Sequence, residues 1–315
     1  MENLFEYSLD NKRYHTFNYY LKNKYHTKVA KVALNGNFTC PNRDGTKATG
    51  GCIFCSDLGS GDYAGNLNDD LMTQFHTVSQ VMSHKWPNCK FIPYFQANSN
   101  TYDSVENLKK RFEPFLLLDN VVGLALATRC DCLNNDVLDY LDDLNKRCDL
   151  YVELGLQTIH ESTSQLINRG HSLNEFEQGL NELRKRNIHV CVHIINGLPY
   201  ETKEDMIETA RYLSTKDIQA IKIHNLYILE NTKLHDLYLK KPFHILSKEE
   251  YIDIVVNQLR LLKKDLIIER LTGDAPLSSL VEPKWSIKKV TVLNDIDKYM
   301  KKRNCYQGDQ YNPPI

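Results

Sequence analysis

Short apolar runs rich in β-branched residues alternate with longer stretches of helical spacing from residue 28 to residue 228. The runs are VAKVAL (Val29 to Leu34), KFIPYF (Lys90 to Phe95), VVGLALA (Val121 to Ala127), LYVELGL (Leu150 to Leu156), IHVCVHII (Ile188 to Ile195) and IQAIKIHNLYI (Ile218 to Ile228). Runs of this length and content read as buried strands. The intervening spacing predicts helices near 70–85, 103–117, 134–147, 161–186 and 202–215, with Asp103, Asn134 and Thr202 as N-caps. Strand and helix units repeated in this way build a parallel sheet, and right-handed crossovers let six of them close into a partial TIM-like (β/α)6 barrel of the α/β class. A doubly wound open sheet has the same local pattern, and periodicity does not separate the two. After residue 228 the spacing changes to helices near 231–240 and 247–264, a strand-like LIIERL (Leu266 to Leu271) and a basic helix near 285–303. The expected organisation is an N-terminal helical extension (1–27), the barrel (28–228) and a helical, basic C-terminal extension (229–315).

Composition narrows the class. Hydrophobic residues at 42% and charged residues at 25% are the proportions of a soluble globular protein. No segment approaches the roughly 20 apolar residues that span a bilayer, and the N-terminus lacks the plan of a secretory signal. A cytoplasmic protein without a membrane partner is expected. The nine cysteines are odd in number, and without an export signal they read as reduced thiols or metal ligands. A net charge of −1 conceals basic ends: residues 1–47 hold eight Lys/Arg against four Asp/Glu, and residues 284–315 hold seven against three. Such ends suit phosphates, although solvated charge is their commoner meaning.

The chemistry concentrates in NGNFTCPNRDGTKATGGCIFC, directly after the first strand. Eleven residues separate Cys40 from Cys52, and two separate Cys52 from Cys55. Loops after barrel strands form the active face, which places three thiols where chemistry occurs. Structural zinc takes four ligands, whereas three thiolates leave one position of an iron–sulfur cube open to an outside molecule. Spacing alone leaves a zinc-stabilised loop as the alternative, with Phe54 as core filler instead of an aromatic beside the open iron.

With CPNRDGTKATGGCIFC, ELGLQT and HIINGLPYET, the chain resembles the radical S-adenosylmethionine superfamily, and within it the YtqA/YhcC type with its MnmL-like tRNA-modifying members. Its wider relatives are the radical domain of the Elongator catalytic subunit and oxygen-independent coproporphyrinogen oxidase. The resemblance implies a 4Fe-4S cluster on Cys40, Cys52 and Cys55 and S-adenosylmethionine as cofactor. It implies cofactor contacts at Phe54, Gln96, Asn98, Glu153, Gln157, Ile195 and Leu198. Residue chemistry keeps other readings beside these. Gln96 and Asn98 suit the capping of a βα loop, and Glu153 among apolar neighbours suits a structural ion pair. Arg129 is read as a carboxylate or phosphate clamp, or as an ion pair with Asp131. Lys222 and His224 share a strand face and suit an anionic or nucleobase substrate. Arg169 and His171 are expected to be solvated in a turn, and Cys130 and Cys132 to share one side of an extended segment. In the tail, Trp285 and the basic residues are read as RNA contacts, with Ile287, Val290 and Leu293 as a docking face.

Function implied by the resemblance is tRNA wobble-uridine maturation: conversion of 5-carboxymethylaminomethyl-(2-thio)uridine to 5-aminomethyl-(2-thio)uridine, with flavodoxin or ferredoxin as electron donor. A radical enzyme acting on a porphyrin or other small molecule, and a non-catalytic zinc-dependent RNA-binding protein, are the alternatives.

Overall fold

The computed structural model describes residues 5–56, 59, 61 and 63–313. Its strands are β1 (Val29–Leu34), β2 (Lys90–Phe95), β3 (Gly123–Thr128), β4 (Asp149–Gln157), β5 (His189–Asn196), β6 (Ala220–Asn225), β7 (Ile228–Leu229), β8 (Ile267–Arg270) and β9 (Leu280–Glu282). Helices are α1 (Phe17–Tyr25), α2 (Leu71–Lys85), α3 (Val105–Phe112), α4 (Asn135–Arg147), α5 (Glu161–Leu166), α6 (Leu173–Lys185), α7 (Lys203–Ser214), α8 (Lys233–Lys240), α9 (Lys248–Leu261) and α10 (Lys289–Arg303). Seven strands form one sheet in the order β1-β2-β3-β4-β5-β6-β8. A doubly wound sheet reverses its order at a switch point. This order follows the chain without reversal, which identifies the partial TIM-like kind. β1 with β2, β2 with β3, β3 with β4, and β6 with β8 pair in parallel. LIIERL, expected after the sheet pattern had ended, therefore supplies its seventh strand, while β7 and β9 form a small antiparallel pair absent from the expectations.

The chain forms two compact units. One comprises Leu21–Gly155 and Gly170–Cys191, and the other the remaining described residues. In the first, Phe75, Phe91, Phe95, Phe112 and Phe115 are buried and meet edge to face, an arrangement that aligns positive ring edges with negative faces. In the second, Asn196 and Gln258 exchange hydrogen bonds of 2.8 Å, and Tyr251 donates to the Leu271 carbonyl.

Local signals explain most helix starts. Asn134 caps α4, and Thr202 caps α7 in a capping box with Asp205. Ser104, not Asp103, caps α3, because Asp103 is committed to Asn107 and Arg111. The helix expected over 161–186 is two, α5 and α6, since Asn168 at φ 52° and Gly170 at φ 79° leave the helical region.

Candidate metal centre

The loop after β1 folds on itself through its own backbone. Arg43 and Asp44 N–H groups bond the Cys40 carbonyl, and Cys55 N–H bonds that of Cys52. Gly51, at φ 70°, donates to the Asn42 carbonyl, and a side chain there would meet Arg43 at 2.9 Å. Cys40, Cys52 and Cys55 are half-buried thiols outside any disulfide, and Phe54 beside them is also half-buried. A hydrogen bond with Cys52 pushes the Cys55 thiol well up; burial and the Cys52 charge add to this, Arg43 opposes it, and Cys40 contributes. Asn42 Nδ2 donates to Cys52 Sγ at 3.6 Å. This donor set fits an iron–sulfur cluster: three thiols in one loop, with an amide and guanidinium groups supplying positive counterparts to thiolate charge.

Arg129 is engaged close to its own position in the chain. Its Nε and Nη2 bond both oxygens of Asp131 at 2.8 Å, the ion-pair reading, and Lys47 adds contacts to Asp131 at 3.2 Å and Glu175 at 2.9 Å. Burial works against the Arg129 charge, but Asp131 and then Cys40 and Cys52 hold its pKa up. The guanidinium thus meets Asp131 in a forked pair. Glu153 also has its partners within the protein. Its side chain is fully buried, one oxygen on Lys31 at 2.6 Å and the other on the Tyr94 hydroxyl at 2.6 Å. Asn98, at φ 61°, donates to the Phe38 carbonyl at 3.0 Å and so fastens the loop. Gln96 is half-buried at the end of β2, its N–H on Leu34. Cys130 and Cys132 lie in a 3₁₀ turn, not an extended segment, and burial followed by Asp131 pushes the Cys132 thiol up.

In the second unit, Gln157 ends β4 at φ 63°, and its buried Oε1 accepts no hydrogen bond from the protein. Arg169, expected in solvent, is 1% exposed and donates to the Leu156 and Thr158 carbonyls at 2.7 and 2.6 Å, clamping the segment after β4. His171, in the first unit, is also buried. Glu201 accepts from the Thr158 hydroxyl at 2.6 Å, and burial raises its pKa. Ile195 is half-buried on β5, and Leu198 is buried just beyond Gly197, whose φ is 88°. Lys222 on β6 is buried with its Nζ 3.6 Å from Glu269, and the His224 and His193 rings lie 5.5 Å apart.

The tail also departs from expectation. Ile287 and Val290 are exposed, and Val292, Ile296 and Met300 form the packed face of α10. A 3₁₀ turn at Lys284–Ile287 precedes α10 and shifts its register. Trp285 bonds the Leu246 carbonyl at 2.8 Å and lies 5.2 Å from Tyr251, which makes it a packing residue. Asn42, Lys31 and Glu269 escaped the sequence reading. Lys31 sits at a period-2 position of an apolar strand, and Asn42 two residues beyond a cysteine, so both carried a usable signal.

Residues 47–213 match the family described as the Radical SAM superfamily, and residues 218–302 match the Radical_SAM C-terminal domain. The chain is 51% identical to YtqA of Bacillus subtilis over 97% of its own length and 95% of that protein's. It is 24% identical to the tRNA uridine(34) acetyltransferase of Methanocaldococcus infernus, over 58% of this chain and 34% of that protein. Among solved structures, the archaeal Methanocaldococcus infernus Elp3 with an N-terminal deletion superposes with TM-score 0.68 at 18% identity, covering 89% of this chain and 64% of that one. Among the described residues, no helix is long and apolar enough to cross a membrane.

Proposed function

The chain belongs to the radical SAM superfamily, and from that premise we propose that this enzyme matures the wobble uridine of tRNA, converting its 5-carboxymethylaminomethyl-(2-thio) form to the 5-aminomethyl form. When bound, the 4Fe-4S cluster and S-adenosylmethionine supply a hydrogen-abstracting radical. Everything else falls to the chain's own residues. Cys40, Cys52 and Cys55 hold the cluster, and Asn42 orients Cys52. Phe54, between Cys52 and Cys55, would offer the cluster an aromatic neighbour. The orphaned oxygen of Gln157 would accept a hydrogen bond from the cofactor, which would remove the cost of a buried acceptor left unpaired. Gln96 would offer the cofactor a side-chain amide, and Ile195 and Leu198 would offer it apolar surface that excludes water. Lys222 and His224 meet the anionic substrate group. Flavodoxin or ferredoxin delivers the electron.

The cysteine loop, with its amide donor and nearby guanidinium, is the observation that carries the radical chemistry. The tRNA assignment draws on the likeness to an acetyltransferase of tRNA uridine 34 and on the basic ends of the chain. Nucleoside analysis of tRNA from a strain lacking the gene tests it. The carboxymethylaminomethyl form should accumulate and return to normal when the wild-type gene, but not Cys52→Ala, is restored. Unchanged nucleosides would sink the assignment.

A further inference from the structure

Ile221 on β6 pairs with Ile268 on β8, yet the next residue, Lys222, pairs with Arg270. Glu269 is therefore the extra residue of a β-bulge, a device uncommon between parallel strands and one that re-aims a side chain. The result is a buried carboxylate 3.6 Å from a buried ammonium, their side chains 1% and 7% exposed. Burying two charges is costly, and a hydrophobic pair of similar volume would hold the strands together without that cost. His224 lies two residues along β6 from Lys222, with the His193 ring of β5 5.5 Å from it. Three adjacent strands thus bring an ammonium and two imidazoles to one region, with a carboxylate lifted out of register to face the ammonium.

We propose that Lys222, positioned by Glu269 and flanked by His224, is a carboxylate-binding subsite that recognises the acidic end of the substrate's side chain. The subsite rests on the function proposed above and adds to it a positioning residue, Glu269, and a basis for discrimination. A substrate carboxylate meets Lys222 and His224, whereas a product that has lost its carboxylate offers them a repelled ammonium. Glu269 acts through Lys222: its carboxylate offsets the burial of the ammonium and fixes its direction.

Two anticodon stem–loop RNAs identical except at the wobble uridine provide the test. One carries the 5-carboxymethylaminomethyl group and the other the 5-aminomethyl group. Both are titrated by fluorescence anisotropy against anaerobically reconstituted holoenzyme. Wild type should prefer the first about tenfold, equivalent to about 1.4 kcal/mol. Lys222→Gln and Glu269→Gln should bring the ratio close to one, and Lys222→Arg should retain a preference. The double variant Lys222→Gln/Glu269→Gln leaves no unpaired buried charge, so it reports the same loss if a single variant fails to fold. A structural defect lowers both affinities together and leaves their ratio. Absence of a preference in wild type, or its survival in the double variant, overturns the subsite. The tRNA nucleosides of the deletion strain judge the reaction separately: unchanged nucleosides beside a Lys222-dependent preference would remove the reaction and keep the subsite.

Discussion

Lys31, Tyr94 and Glu153 sit on three different strands, and their meeting decides what the carboxylate does. A buried acid is tolerated when its lone pairs and its charge are both answered. Here both oxygens are answered from within the protein, one by an ammonium and the other by a phenol. Arg129 and Asn98 follow the same logic, each engaged by a group near its own loop. Lys31→Met should leave an uncompensated buried carboxylate and cost about 3–5 kcal/mol, while Lys31→Met/Glu153→Met should recover most of that loss. Denaturant unfolding of the two variants checks it. Equal stability of the single variant and wild type would show that the pair is incidental.

The elements start where their first turns are answered, and α6 shows this most fully. Ser172 accepts from Glu175 N–H while the Glu175 carboxylate accepts from Ser172 N–H, a reciprocal capping box, and Lys47 reaches the same carboxylate from the cysteine loop. The Ser172 backbone bond, then Lys47, lowers the Glu175 pKa to about 2. A carboxylate with a depressed folded pKa stabilises above its unfolded value of about 4.3 and loses that contribution as pH falls toward 2. Glu175→Gln should therefore be less stable than wild type at neutral pH, by about 1 kcal/mol given its partial exposure. The difference should narrow steadily below pH 4.5 in thermal melts. A difference independent of pH would show that the cap works by shape alone. The split between α5 and α6 has an equally local cause, the left-handed Asn168 and Gly170, but the INRGHS turn lies inside an otherwise continuous polar and apolar alternation that masks it.

At the scale of the whole molecule, segments distant in sequence, around His15, Lys263 and Gln307, meet within one unit. Gln307 is fully buried; it accepts from His15 N–H at 2.8 Å and donates to the Lys263 and Leu266 carbonyls at 2.6 and 2.7 Å. Gln307→Ala would orphan three backbone groups and should cost about 3 kcal/mol, seen as a lowered Tm with the far-ultraviolet circular dichroism of the native protein retained below it. An unchanged Tm would mean that water replaces the amide. This convergence was invisible in the sequence, where residues 15, 263 and 307 share no motif. The strand and helix alternation, the parallel class and the three-cysteine loop were legible, because side-chain period and cysteine spacing are local properties of the chain. The choice of partial TIM-like over doubly wound required strand order. Which partners a buried polar residue meets across strands required the pairing of those strands, as with Glu153 and its partners Lys31 and Tyr94. The bulge at Glu269 is the clearest case: sequence places it one residue from where strict alternation would aim it, and only pairing across strands turns it toward Lys222.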